Sequence, residues 1–115
     1  MTSELKHIEK EFFAPFFSKW ETARDDIEMF YNQKDRQAIE MMEEAIENYN
    51  ELLEQGGKMF DERKGKTVYT LLPLNGKERF EFVKDKISSH YAFVQLDALY
   101  TETKKKVARL SIMKK

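Results

Sequence analysis

Two side chains in this 115-residue chain can serve as an imidazole base near neutral pH, His7 and His90. A hydrolytic triad needs a nucleophile, a base and a group that orients the base. His90 follows Ser88 and Ser89 and precedes Tyr91, so hydroxyls and an imidazole stand together in sequence. Upstream, Glu78 and Arg79 place a carboxylate beside a guanidinium. With His90 that pair can form an anion pocket; alternatively it is a structural ion pair across a junction between two helices. For His90 the preferred reading is also structural, a ring that bonds the Asn75 loop or a backbone carbonyl and fixes the junction. His7 lies in a charged, exposed-looking segment. The chain contains no phosphate-cradling glycine loop, metal-ligand spacing or nucleophile motif. The expectation is therefore no catalytic residue, no cofactor and no metal.

The elements that position these residues are legible from Leu71 to Tyr100. Pro73 fixes its own φ and pushes Leu72 toward an extended conformation. Asn75 stands three residues before Glu78, the spacing of a capping box, which predicts a helix start worth about 1 kcal/mol. Phe80, Val83 and Ile87 recur at helical intervals along it. Ser88 and Ser89 interrupt, and either can cap a last helix beginning near His90 and Tyr91. That helix carries Ala92, Leu96, Leu99, Thr103, Val107 and Leu110 on one face.

Leu72, Pro73, Asn75, Glu78, Arg79, Phe80 and Phe82, followed by His90, Tyr91, Phe93, Gln95, Leu96 and Leu99, give this stretch a recognisable pattern. It resembles the YpoC-like family of small bacterial proteins, mainly from residue 71 to 106. Trp20 and a general helical character extend the likeness loosely toward the N-terminus. Where the family pattern has proline and asparagine before the His-Tyr pair, this chain has Ser88 and Ser89. The resemblance implies a helical domain of no established activity and carries over no catalytic residue.

The rest of the chain reads as helices too. A chain of this length buries about 65% of its unfolded surface, enough for a core without staples. Charged residues make up 36%, while glycine and proline together number only six. That composition suits long amphipathic helices better than a turn-rich sandwich. Thr2 or Ser3 can cap a short first helix through Phe13, with Leu5, Ile8, Phe12 and Phe13 as its apolar edge. Pro15 then opens a second helix, as proline is tolerated at a first helical position. Phe16, Trp20, Ala23, Ile27, Phe30 and Tyr31 form its stripe, with Trp20 read as core rather than as a ligand-stacking ring. After a polar link over Asn32 to Lys34, Asp35 caps a third helix reaching Gln55. Ile39, Met42, Ile46, Tyr49 and Leu53 are its stripe, and Gly56-Gly57 its stop. Lys58 to Lys66 reads as a charged loop. Thr67 to Leu72 reads as an extended arm near 67–74, because no second strand-like run offers it a partner.

Charge is distributed unevenly. Between Asp35 and Gln55 seven carboxylates face a single Arg36. This face is a solvated surface, a dock for a basic partner or for the chain's own basic end, or a carboxylate metal site. The last reading is weakest, since no histidine follows any of these glutamates three residues on and they lie off the apolar stripe. From Thr101 to Lys115 six cations face Glu102 alone. Cations there suit the dipole at a helix C-terminus; a contact with nucleic acid or anionic lipid is the alternative, weakened by a net charge of −1 and, for nucleic acid, by the lack of arginine-aromatic interleaving.

The expected molecule is thus an all-α single domain over residues 1–115, a small bundle of four or five helices with an extended arm and a flexible basic tail at 111–115. With no cysteine and no run of about 20 apolar residues, a cytoplasmic setting is expected. The first functional expectation is a protein-protein interaction module centred on Asn75, Glu78, Arg79, His90, Tyr91 and Gln95. A weak nucleic-acid accessory domain and a small-molecule or anion site near Arg79 and His90 are the alternatives. The oligomeric state stays open at this level.

Overall fold

The computed structural model describes residues 8–112. Four helices follow in order with one hairpin between them: α1 Lys10–Asn32, α2 Gln37–Gln55, β1 Lys58–Asp61, β2 Lys66–Tyr69, α3 Gly76–Asp85 and α4 His90–Ile112. α1 packs on α2 and α4, and α4 packs on α3. The fold is mostly helical, but the two strands make it not purely all-α.

Two expectations need correcting. No helix break occurs at Pro15, which lies inside a continuous α1. Its ring φ is helical, and the hydrogen bond it forfeits would reach the Glu11 carbonyl, near the helix start where both residues are exposed to water. Burial of Phe13, Phe17 and Trp20 on both sides of Pro15 holds the helix through it. The arm at 67–74 is also partly a strand. Lys66–Tyr69 pairs antiparallel with Lys58–Asp61, Met59 opposite Val68 and Phe60 opposite Thr67. The partner hid inside a charged segment because its pairing is set by the turn. The Asp61 carboxylate accepts from the amides of Arg63 and Lys64 at 2.9 and 3.3 Å. Gly65, at φ +65°, closes the turn with its amide on the Asp61 carbonyl at 2.7 Å.

Helix ends follow local chemistry. α1 stops in a Schellman motif. The amides of Lys34 and Asp35 bond the carbonyls of Tyr31 and Phe30, with Lys34 left-handed at φ 57° where glycine is usual. The Asp35 carboxylate then accepts from the Gln37 amide at 2.9 Å and starts α2. Gly56 and Gly57 end it, Gly57 at φ 78°. Ser89 Oγ accepts from the Tyr91 amide at 3.1 Å and starts α4.

One buried cluster joins Phe17, Trp20 and Ile27 of α1, Met42, Tyr49, Leu52 and Leu53 of α2, Leu71 of the arm, Phe80 and Val83 of α3, and Leu96, Leu99, Tyr100 and Val107 of α4. Trp20 is 3% exposed, stacks on Tyr100 and donates from its indole N–H to Asp97 at 2.9 Å. It is a core residue with its polar edge satisfied. At the centre, the Tyr49 hydroxyl lies 2.7 Å from Thr103 Oγ1, and Tyr100 donates to the Ala45 carbonyl at 2.7 Å. Burial pushes both phenols above their ordinary range. Among the described residues no buried side-chain nitrogen or oxygen lacks a partner. No helix among them is long and apolar enough to cross a membrane.

Candidate functional site

The expected capping box does not form. Asn75 sits at the start of α3 in the left-handed region, φ 55° and ψ 26°, and its side chain caps nothing. From that geometry the amide oxygen cannot turn back over the first helical amides. Asparagine is suited to the position because it tolerates left-handed backbone. Gly76 beside it lets the Leu72 side chain pack close, since a Cβ there would lie 2.5 Å from Leu72 Cγ and push it aside. Glu78 is exposed and borders a shallow open depression with Lys66, Lys77 and Phe82.

Arg79 pairs with Glu102 of α4 rather than with Glu78. Its two terminal nitrogens meet the two Glu102 oxygens at 2.8 Å each. Its Nε donates to Gln95 Oε1 at 2.7 Å, and Nη1 also reaches the Leu74 carbonyl at 3.1 Å. This bidentate fork holds the Glu102 carboxyl below its ordinary pKa. Gln95 and Glu102 stand seven residues apart on one side of α4, so a single guanidinium ties α3 to two turns of α4 and to the arm. Four of its five N–H groups are engaged, leaving little for an external anion.

His90 lies elsewhere. Its ring stacks on Phe93 at 5.5 Å and meets Tyr31 edge-on at 5.9 Å. Nε2 is 3.5 Å from a Glu28 oxygen. Tyr31 donates to the Ile87 carbonyl at 2.6 Å, and burial pushes its phenol up to about 12. His90 therefore fastens the start of α4 to α1, not to the Asn75 loop. On a 3.6-residue helix Phe93 and Gln95 point about 160° apart, so His90 and Arg79 work on opposite flanks of α4 and share no partner. The structure does not bring together the anion pocket of Glu78, Arg79 and His90. His7 lies outside the described residues.

The seam between α3 and α4 is nonetheless marked by apolar exposure. Leu74 is 81% exposed and Tyr91 72%; Val94, 100° round α4 from Gln95, is 50% exposed on the helix's outer face. Tyr91 and Gln95 are one turn apart, and Gln95 and Leu74 meet on Arg79. Tyr91, Gln95 and Arg79 thus do lie along one stretch of surface. Sequence reasoning missed Glu102 and Leu74. Only the charge of Glu102, the single carboxylate in a run of cations, hinted at a buttressing role.

Glu40, Glu43, Glu44 and Glu47 are exposed on α2, and no cluster of metal-ligating residues occurs among the described residues. Among the described residues, no ion pair joins the basic end to the carboxylates of α2. Lys104 pairs with Glu21 of α1 at 2.6 Å, and Lys106 donates to the Leu72 carbonyl at 3.0 Å. Residues 111 and 112 continue α4, and the remainder of the expected tail, 113–115, lies outside the described residues.

No curated protein and no solved structure matches the chain. The YpoC-like protein family does match, over residues 10–115, a span that takes in α1 and α2 as well as the stretch whose pattern first resembled it. The chain, from the start of α1 onward, belongs to the YpoC-like protein family.

Proposed function

We propose that this protein is a small, single-domain, cytoplasmic module that binds another polypeptide through the outer face of α4 and its seam with α3. The observation that carries the reading is the exposure of Leu74 and Tyr91 along a seam held rigid by Arg79, with Val94 exposed on the adjoining outer face of α4. Large apolar side chains grouped around a satisfied polar network resemble the anchor-and-rim arrangement of protein interfaces. The alternatives draw less support. Four of the five Arg79 N–H groups are already taken by Glu102, Gln95 and the Leu74 carbonyl. Two of the cations that would meet nucleic acid, Lys104 and Lys106, are engaged within the chain. The cytoplasmic setting rests on a sequence without cysteine.

The test is a photo-cross-linking amino acid placed at Leu74 or Val94 of the full chain in its native cells, with Ser18, exposed on α1, as control. Adducts of defined mass from the seam positions, absent from Ser18 and lost on Tyr91→Ser in a protein of unchanged circular dichroism, support the reading. Equal adducts at all three positions, or none, refute it.

A further inference from the structure

α4 carries a second stripe that the core does not use. Tyr91, Val94, Ala98, Thr101, Lys105, Ala108 and Ile112 alternate in steps of three and four over three heptads, the seam spacing of a coiled coil. Tyr91, Val94 and Ile112 are 72%, 50% and 76% exposed; Thr101 and Lys105 are exposed, and the two alanines half-buried. α4 meets α1 through Phe93, Asp97 and Lys104, and α3 through Gln95 and Glu102. The stripe lies between these flanks, facing away from both neighbours. At 1.5 Å per residue it runs for roughly 32 Å.

We propose that this stripe pairs antiparallel with the same stripe of a second copy, giving a two-fold dimer. This rests on the reading of the seam as a contact surface and names its occupant. The stripe is complementary to itself when reversed. With Ala98 opposite Thr101 of the second copy, Tyr91 falls opposite Ala108 and Val94 against the aliphatic stem of Lys105. Large side chains then meet small or slender ones in each of these layers, the two-fold repeats each match, and Ile112 extends beyond the paired segment. On one flank Asp97 falls beside Lys104 of the second copy, opposite charges that stay part-exposed while each is paired within its own chain, to Arg24 and to Glu21; on the other, Gln95 falls beside Glu102. A parallel arrangement instead sets Lys105 against its own copy and Lys104 against Arg109. The acidic face of α2 is a poorer occupant, because its exposed glutamates offer no apolar anchor for Tyr91 or Val94.

The chain contains no cysteine, so introduced thiols report unambiguously. Tyr91→Cys and Ala108→Cys proteins, one carrying a size tag, are mixed and mildly oxidised, and the disulfides are read on a non-reducing gel and by mass spectrometry. The expected product is the mixed 91–108 disulfide, with little self-cross-linking of Tyr91→Cys. Sedimentation of the unmodified protein should show a dimer, and Val94→Lys, at an exposed position, should weaken it at least about tenfold, since it sets an ammonium against Lys105 of the second copy twice. Ready self-cross-linking of Tyr91→Cys, or a monomer at every concentration with no mixed disulfide, overturns the dimer. If seam adducts sensitive to Tyr91→Ser persist in that case with the mass of a different protein, the contact surface stands with another occupant. If they vanish as well, both readings fall.

Discussion

Thr103 is fully buried on α4, and replacing it with valine tests the polar centre of the core without opening a cavity. Its hydroxyl lies 2.7 Å from the Tyr49 hydroxyl and 3.4 Å from the Leu71 carbonyl. Tyr49 is itself fully buried, and Thr103 is the hydrogen-bond partner of its phenol. Thr103→Val keeps the shape and strands that phenol, so it should cost about 1–3 kcal/mol, the penalty of a buried unsatisfied group. Tyr49→Phe leaves the Thr103 hydroxyl with Leu71 and should cost about 1 kcal/mol. The double variant strands no phenol, so its cost should fall below the sum of the two by about 1 kcal/mol or more. Urea unfolding midpoints at unchanged slope measure all three. A neutral Thr103→Val, or strict additivity, would refute the view that this pair is a coupled, water-excluded bond.

Asn75→Ser should lower stability by about 1 kcal/mol because serine resists left-handed backbone, whereas Asn75→Gly should be neutral or better; if serine proves neutral, the residue acts as a cap after all. Lys34→Gly should raise the urea midpoint by the equivalent of about 0.5–1 kcal/mol, by removing left-handed strain from the Schellman turn, and a loss of stability there would contradict the turn. Alkali should unfold the protein in a defined window. Tyr31 is pushed up to about 12 and Tyr49 and Tyr100 further, by burial. The stability of the neutral phenols is complete below the unfolded tyrosine pKa of about 10 and is lost as pH rises through the raised values. Phenolate absorbance and chemical denaturation followed together should show late ionisation coinciding with loss of structure; ionisation of all five tyrosines near pH 10 in a folded chain would contradict it.

Much of the helix inventory was legible because its signals are local. The α2 stripe through Met42, Tyr49 and Leu53, the Asp35 start, the Gly56-Gly57 stop and the Ser89 start each depend on a few neighbouring residues. Trp20 and Leu96 read as core from their spacing and are core, at 3% and 0% exposure. The α2 stripe is wider than read: Ala38, Ala45 and Leu52 are buried, while Ile39 and Ile46 sit at its edge. The site was less legible. Arg79, Gln95 and Tyr91 do share a surface, but His90 leaves it for α1, and Glu78 is not the partner of Arg79.

Periodic side chains and chain-reversing residues act within one or two turns, so the sequence alone determines where most helices run and which side of each is apolar. Whether proline breaks a helix, whether a charged run becomes a strand and which carboxylate a guanidinium finds depend on what lies across the fold. Phe13 and Phe17 carry α1 through Pro15 because both find a common interior. Lys58–Asp61 becomes a strand because the turn at Asp61 and Gly65 returns the chain onto it. Arg79 reaches Glu102, 23 residues away, because α4 runs back along α3. In each case the deciding energy is a contact between segments distant in sequence, and tertiary packing alone supplies it.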